Sequence, residues 1–303
     1  MIRCNKFLIY ITCTFFSPYI QAQIITPNDW QNSDIITSLN QDTVKRTDEE
    51  VSTWENIAEA NNNTDTDILP ELNISQERGV RNLTIKGKQV QVPTLYNKEG
   101  IDMSLLTKDG ISIHMIALQP VFYQETSDDL IKWIRFYGYK NRNYTKRIFE
   151  KYQKWEPYIQ ACFQKYDVPK EIAILCLIES GCSYDIKSSV GAAGMWQLMP
   201  ATARELGLKV DNKKDDRTDP VLSSAAAANI LIKNYTELRD WTLAIAAYNC
   251  GLSRVGTCIE KAESTLWDDV CKFLPYETQQ YIPALLAIHY TWNYREELGF
   301  PKK

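Results

Sequence analysis

Between Pro169 and Pro200 the chain reads PKEIAILCLIESGCSYDIKSSVGAAGMWQLMP, an apolar run that closes on a carboxylate and is followed by a glycine-rich turn. Ile172, Leu175, Cys176, Leu177 and Ile178 leave no wide polar stripe at helical spacing, so the run is predicted to be a helix buried on most of its circumference. It ends in Glu179-Ser180-Gly181. At the last turn of a helix the unpaired carbonyls form the negative end of the dipole, and burial adds a second penalty on charge. Glu179 is therefore expected to hold its proton longer than in water. A general acid working near neutral pH needs this setting, and such catalysis contributes about 100-fold to 10,000-fold in rate. A glutamate near a helix end is also a common solvated surface group, so the acid by itself does not decide the matter.

The residues that follow do more. Gly191 to Pro200, GAAGMWQLMP, sets small residues beside Trp196 and Gln197, a stacking face and an amide suited to sugar rings. Ala244 to Gly251, AIAAYNCG, repeats the design as a small-residue helix that ends in polar groups and a glycine cap. With Glu179-Ser180, Asp216-Arg217-Thr218-Asp219-Pro220, and Leu274-Pro275-Tyr276-Glu277-Thr278 followed by Tyr281, these motifs occur in one order over about residues 128–290. In that order they resemble the lytic transglycosylases of the goose-type lysozyme superfamily, glycoside hydrolase family 23, and most closely the membrane-bound lytic transglycosylase D branch.

The resemblance implies an all-α, lysozyme-like catalytic domain with a cleft between helices. It implies cleavage of the β-1,4 bond between N-acetylmuramic acid and N-acetylglucosamine in peptidoglycan, with formation of 1,6-anhydro ends. Glu179 is then the single acid/base, and the acetamido group of the substrate assists at C1. Ser188 and Gln197 match positions that contact the sugar near the acid. Tyr248 and Asn249 match the motif that lines the site and holds the acid and the acetamido group. Glu277 and Tyr281 match a late motif on the far wall of the cleft, where Glu277 organises the site. Each has an ordinary structural alternative: Ser188 a cap, Gln197 a turn-stabilising amide, Tyr248 a core residue, Glu277 a helix-start acid, and Trp196 a wall or a core residue. Two rival functions stay open, a hydrolytic muramidase on the same fold and a peptidoglycan-binding scaffold without activity. The muramidase would need a second carboxylate, since most glycosidases use two; Asp185 and Glu277 are the candidates.

Other parts of the chain set the context. Arg3 and Lys6, the apolar run Phe7 to Phe16 and a cleavage site after Ala22 predict a secretory signal peptide over 1–22 and an exported, soluble product. Residues 23–83, rich in Asn, Asp, Thr and Ser, are predicted to be a disordered tether. Residues 84–126 are read as a small extension with short strands, such as Ile85 to Val92 and Gly110 to Leu118, and 127–303 as the helical domain. In that domain Ser127 starts a helix that Gly138 ends, Pro157 opens another, and Asp219-Pro220 begins an alanine-rich one. The end at Lys303 leaves no room for cell-wall-binding repeats, so substrate capture is expected from the domain itself.

A net charge of −4 and the lack of a Lys/Arg cluster argue against nucleic acid as a partner. The expected partners are peptidoglycan glycan strands, met by a monomer loosely associated with the envelope. The chain's two histidines, His114 and His289, fall in none of the site motifs, so no cofactor, zinc site or thiol catalysis is expected. The acids around Asp211 to Asp219 are read as helix caps and partners of Arg204 or Arg217 rather than a calcium loop. Of the six cysteines beyond the signal, Cys258 with Cys271 is the expected disulfide, while Cys176 and Cys250 are read as core fillers.

Overall fold

The computed structural model describes residues 106–300 and, ahead of them, the backbone of four short strands. The signal peptide and the tether up to residue 79 lie outside the described residues. β1 (Val80–Ile85) pairs antiparallel with β2 (Lys88–Pro93), Val80 opposite Pro93 and Ile85 opposite Lys88, and β3 (Tyr96–Asn97) pairs with β4 (Gly100–Ile101). The stretch Ile85 to Val92 thus takes in the end of β1 and most of β2, and β1 begins at Val80, inside the stretch assigned to the tether.

The rest is helical. Gly110 to Leu118 is no strand but most of α1 (Lys108–Leu118), because Thr107 caps it by accepting from the Gly110 N–H at 3.1 Å and Asp109 sits in its positive first turn. Leu106, Ile111, Met115 and Phe122 are buried in the same core as the later helices, so residues 106–126 belong to the helical domain rather than to a separate extension.

α2 (Asp128–Arg135) starts on Ser127 as expected, the hydroxyl accepting from Leu130 N–H. Gly138 does not end it: the chain continues as a π-helical turn (Phe136–Lys140), closed by the Asn141 N–H on the Phe136 carbonyl, and runs into α3 (Arg142–Lys165). Pro157 likewise lies inside α3 instead of opening a new helix. Proline there removes one backbone hydrogen bond, at a cost of about 3 kcal/mol. Burial of Ile148, Phe149 and Tyr152 before it and Ile159, Cys162 and Phe163 after it, all in the interior, offsets that cost.

A 3₁₀ turn (Lys170–Ile174) leads into α4 (Leu175–Ser180), followed by α5 (Pro200–Glu205), α6 (Pro220–Leu238), α7 (Trp241–Cys250), α8 (Leu252–Ala262), α9 (Trp267–Val270) with a 3₁₀ turn (Cys271–Phe273), and α10 (Tyr276–Asn293). Asp219 caps α6 through Val221 and Leu222 N–H, and the buried Ala226, Ala227 and Ala228 let α6 lie close against α7. α10 is the axis of the fold. Tyr281, Ile282, Ala284, Leu285, Ala287, Ile288 and Tyr290 bury it on every side against α2, α4 and α7, as a helix apolar all round requires. Among the described residues no helix is long and apolar enough to cross a membrane.

All six described cysteines are free. The expected Cys258–Cys271 bridge is not formed, because the thiols turn to different carbonyls, Cys258 to Phe273 at 3.3 Å and Cys271 to Asp268 at 3.7 Å. Both histidines pack where α1 meets α10. His114 Nδ1 lies 2.7 Å from the Tyr290 hydroxyl, and burial pushes His289 down to about 4, so it stays neutral at physiological pH.

Candidate active site

Glu179 stands on the last turn of α4, whose Leu175, Cys176, Leu177 and Ile178 are all buried. Gly181 and Cys182 both adopt the left-handed region, φ 60° and 61°, and turn the chain back so that Gly181 N–H reaches the Leu177 carbonyl and Cys182 N–H reaches that of Cys176. A side chain at 181 is excluded as well, since a Cβ would sit 2.8 Å from Ile148 Cγ2. Ser180 ties this turn to the next motif: its hydroxyl donates to the Met195 carbonyl at 2.8 Å and accepts from Ser183 N–H at 3.0 Å.

Glu179 is partly buried, and its carboxyl is pushed up to about 7. Burial is the main cause; Glu277 pushes the same way, and a hydrogen bond donated by the Tyr281 hydroxyl to Oε1 opposes them. Burial, together with the nearby Glu179 carboxylate, also holds the phenols of Tyr281 and Tyr248 well above their ordinary value, so both act only as donors toward their partners.

The glycine-rich turn is braced from behind. Gly194, at φ 79°, lies so close to the backbone of Arg217 that a Cβ would come within 1.8 Å of its carbonyl oxygen. The Arg217 Nη1 donates to the carbonyls of Gly191 and Leu198 at 2.7 and 2.9 Å, while its Nε and Nη2 grip both oxygens of Asp215, each at 2.8 Å. That pairing was expected of the acids in this loop. Arg204 instead donates to the Val210 carbonyl. Gln197, at φ 46°, folds its Nε2 onto the Gly194 carbonyl at 2.9 Å and keeps Oε1 as an acceptor. Ser188 accepts from Ala192 N–H at 3.0 Å and closes the loop before the turn. Trp196 is fully buried, its indole N–H on Ser224 Oγ at 2.8 Å and its ring 5.2 Å from that of Phe163, so it is core and not a sugar platform.

α7 and α10 supply the opposite side. The Tyr248 hydroxyl donates to the Trp196 carbonyl at 2.8 Å, joining the end of α7 to the turn. The Thr278 hydroxyl donates to Asn249 Oδ1 at 2.7 Å, which leaves the Asn249 amide nitrogen to serve as a donor elsewhere. Glu277 is exposed at the start of α10, and Tyr281, one turn later, is fully buried with its hydroxyl on the acid rather than on the surface of a cleft.

The structure therefore brings Tyr281, Glu277 and Tyr248 to Glu179, ties Asn249 to α10 through Thr278, and sets Gln197 in the turn that Tyr248 holds, while Ser188 braces the adjoining loop. Three contributors went unassigned from sequence. Thr278 shares a helix face with Tyr281, three residues on, a spacing that could have marked it. Arg217 and Ser180 lie inside motifs already recognised, but nothing in their order says which backbone carbonyls they reach. No group of three or more His, Cys, Asp or Glu able to hold a metal occurs among the described residues.

Residues 157–268 match the transglycosylase SLT domain. That stretch holds Glu179, the glycine-rich turn, Arg217, Tyr248 and Asn249, and stops short of the α10 residues that face them. Over 152 residues the chain is 35% identical to membrane-bound lytic murein transglycosylase D of Escherichia coli K12, covering 49% of this chain and 34% of the relative. It is 32% identical over 130 residues to a putative tributyltin chloride resistance protein of Alteromonas sp. strain M-1, 42% of this chain and 62% of the relative. The chain thus spans about a third of the length of the first of these relatives. Among solved structures, an inactive mutant of lytic transglycosylase Slt from Pseudomonas aeruginosa aligns with 58% of this chain and 31% of its own at 23% identity, with a TM-score of 0.40. Four of the five ordered site motifs fall inside the SLT match, and the fifth, Leu274 to Tyr281, lies beyond its end.

Proposed function

We propose that the chain is a lytic transglycosylase that cleaves the β-1,4 bond between N-acetylmuramic acid and N-acetylglucosamine in peptidoglycan and leaves 1,6-anhydro ends. One arrangement carries this reading: the Glu179 carboxyl stands partly buried on the last turn of α4, takes the Tyr281 hydroxyl on Oε1 and is pushed up by burial to about 7, so it can both give and take a proton. In the first step Glu179 donates its proton to the glycosidic oxygen as the bond to C1 breaks, and the substrate's acetamido oxygen closes on C1. In the second the Glu179 carboxylate takes the proton of the C6 hydroxyl, whose oxygen attacks C1 and displaces the acetamido group. Glu179 ends as it began and no water is consumed.

The neighbouring residues fit these steps. The amide nitrogen of Asn249, whose oxygen is held by Thr278, suits the acetamido group as a donor, and Gln197 Oε1 suits a sugar hydroxyl. Tyr281 keeps the carboxylate oriented between steps, and Tyr248 pins the turn. The exposed Glu277 raises the value of Glu179 and so helps keep its proton on. The leader expected at 1–22, together with the membrane-bound relative, supports an exported, envelope-associated protein; acting as a monomer on glycan strands is part of the same proposal. Release of soluble fragments from peptidoglycan sacculi tests the assignment. Glu179→Gln should lower it by at least about 100-fold while circular dichroism stays unchanged, and wild-type release by that variant would remove Glu179 as the acid.

A further inference from the structure

A groove of about 700 Å³ lies between α8 and the segment Phe273–Pro275, within the size range of about 300–1,000 Å³ of small-ligand sites. It borders the site just described. Cys250, on its wall, follows Asn249 and places its thiol on the Thr278 hydroxyl, and Pro275, also on its wall, caps α10 ahead of Glu277. Its charge is one-sided. Arg254 and Lys261 line it and no acid does, although the chain as a whole carries −4. The two cations are seven residues apart on α8, so they share one face and stand roughly 10 Å apart along it. Neither makes a hydrogen bond or ion pair with any described residue. Ser253 and Thr257 add hydroxyls between them, and Phe273, 48% exposed, offers an apolar wall.

Resting on the function proposed above, we infer that this groove binds the peptide substituents of the glycan through their carboxylates. Two cations on one helix face, without an ion-pair partner among the described residues, with hydroxyls between them and an aromatic wall, fit a short acidic peptide held beside the scissile bond. The sugar rings of a substituted strand carry no charge, because the lactyl carboxyl of each N-acetylmuramic acid is tied up in the amide to its peptide, and would leave Arg254 and Lys261 unused.

Equilibrium binding to the inactive Glu179→Gln protein tests this without relying on turnover. Two ligands are compared: peptide-bearing glycan strands, and the same strands stripped of peptide by an amidase, with the lactyl carboxyls that this frees capped as methyl amides. The peptide-bearing strands should bind about fivefold to tenfold more tightly, as two solvent-facing charge pairs allow. Adding Arg254→Gln and Lys261→Gln should bring the ratio close to one, and Arg254→Lys with Lys261→Arg should keep it. Equal binding of the two strands, or a ratio that survives the double substitution, would overturn the groove assignment and leave the transglycosylase reading standing. Failure of either strand to bind would overturn both.

Discussion

The hydroxyl of Tyr281, buried in the middle of the fold, donates its hydrogen bond to Oε1 of Glu179. It is the contact that favours the ionised acid, set against burial and the charge of Glu277. The two residues lie 102 positions apart, on the axial helix α10 and on the short helix α4 packed against it. The core of the domain thus reaches the Glu179 carboxyl directly.

Removing that bond should move the acid further from its ordinary value. A hydrogen bond to a charged group contributes about 1.5–3 kcal/mol, and each pH unit corresponds to about 1.4 kcal/mol. Tyr281→Phe should therefore shift the alkaline limb of the kcat/KM profile upward by about one to two pH units. A limb that stays in place or moves down would show that Tyr281 does not act on the carboxylate.

Glu179 also carries a stability consequence. Its folded-state value lies above the ordinary 4.5, so its contribution is intact below about 4.5 and is lost as pH rises through about 7. Across that interval the loss reaches about 3 kcal/mol at most. Glu179→Gln carries no such penalty, and its thermal midpoint should exceed that of the wild type by several degrees at pH 8 and match it near pH 4. A gap independent of pH would contradict the displaced value.

The glycine-rich turn offers a paired comparison. Gly194→Ala drives a Cβ into the Arg217 carbonyl, whereas Gly191→Ala, at φ 90°, meets no atom within 4 Å. The first should cost well over about 2 kcal/mol, and the second only the strain of a left-handed residue, about 1–2 kcal/mol. Urea denaturation of the two variants measures the difference, and equal costs would refute the close approach at Gly194.

Behind that turn, Arg217 holds the Asp215 carboxyl down to about 2, with Lys187 assisting. The stability from Asp215 is present above about 3.8 and is lost as pH falls toward 2. Arg217→Lys cannot span Asp215 and two carbonyls with one ammonium group, so it should lower stability at pH 7 by about 2–4 kcal/mol and flatten the acid limb. An unaltered acid limb would show that the pair is not its source.

How much of this could be read beforehand varies with how local the cause is. The Ser127 and Asp219 caps, the buried run into Glu179 and the alanine contact of α6 follow from neighbours in sequence, and they stand as expected. Gly110 to Leu118 misled because its apolar residues also alternate, and the deciding signal, Thr107 as a cap, lies just outside the run. Pro157 and Gly138 look like breaks locally, yet the helical path continues through both because residues on either side bury into one core. Trp196 invites a sugar-stacking role until Ser224 and Phe163, distant in sequence, are seen to enclose it. The site followed the same rule. The burial of the helix that carries Glu179, and with it the upward push on its carboxyl, could be read from its own neighbours, while the contacts of Thr278 and Arg217 depend on carbonyls and side chains brought up by the fold.

The central claim is that Glu179 serves one substrate through both steps with no water taking part. Digestion of sacculi in H₂¹⁸O, followed by mass spectrometry of the released fragments, tests it most directly. The account predicts 1,6-anhydro ends, one water lighter than reducing ends, without ¹⁸O, and no such fragments from Glu179→Gln. Reducing ends carrying one ¹⁸O would contradict it and make the enzyme a hydrolase.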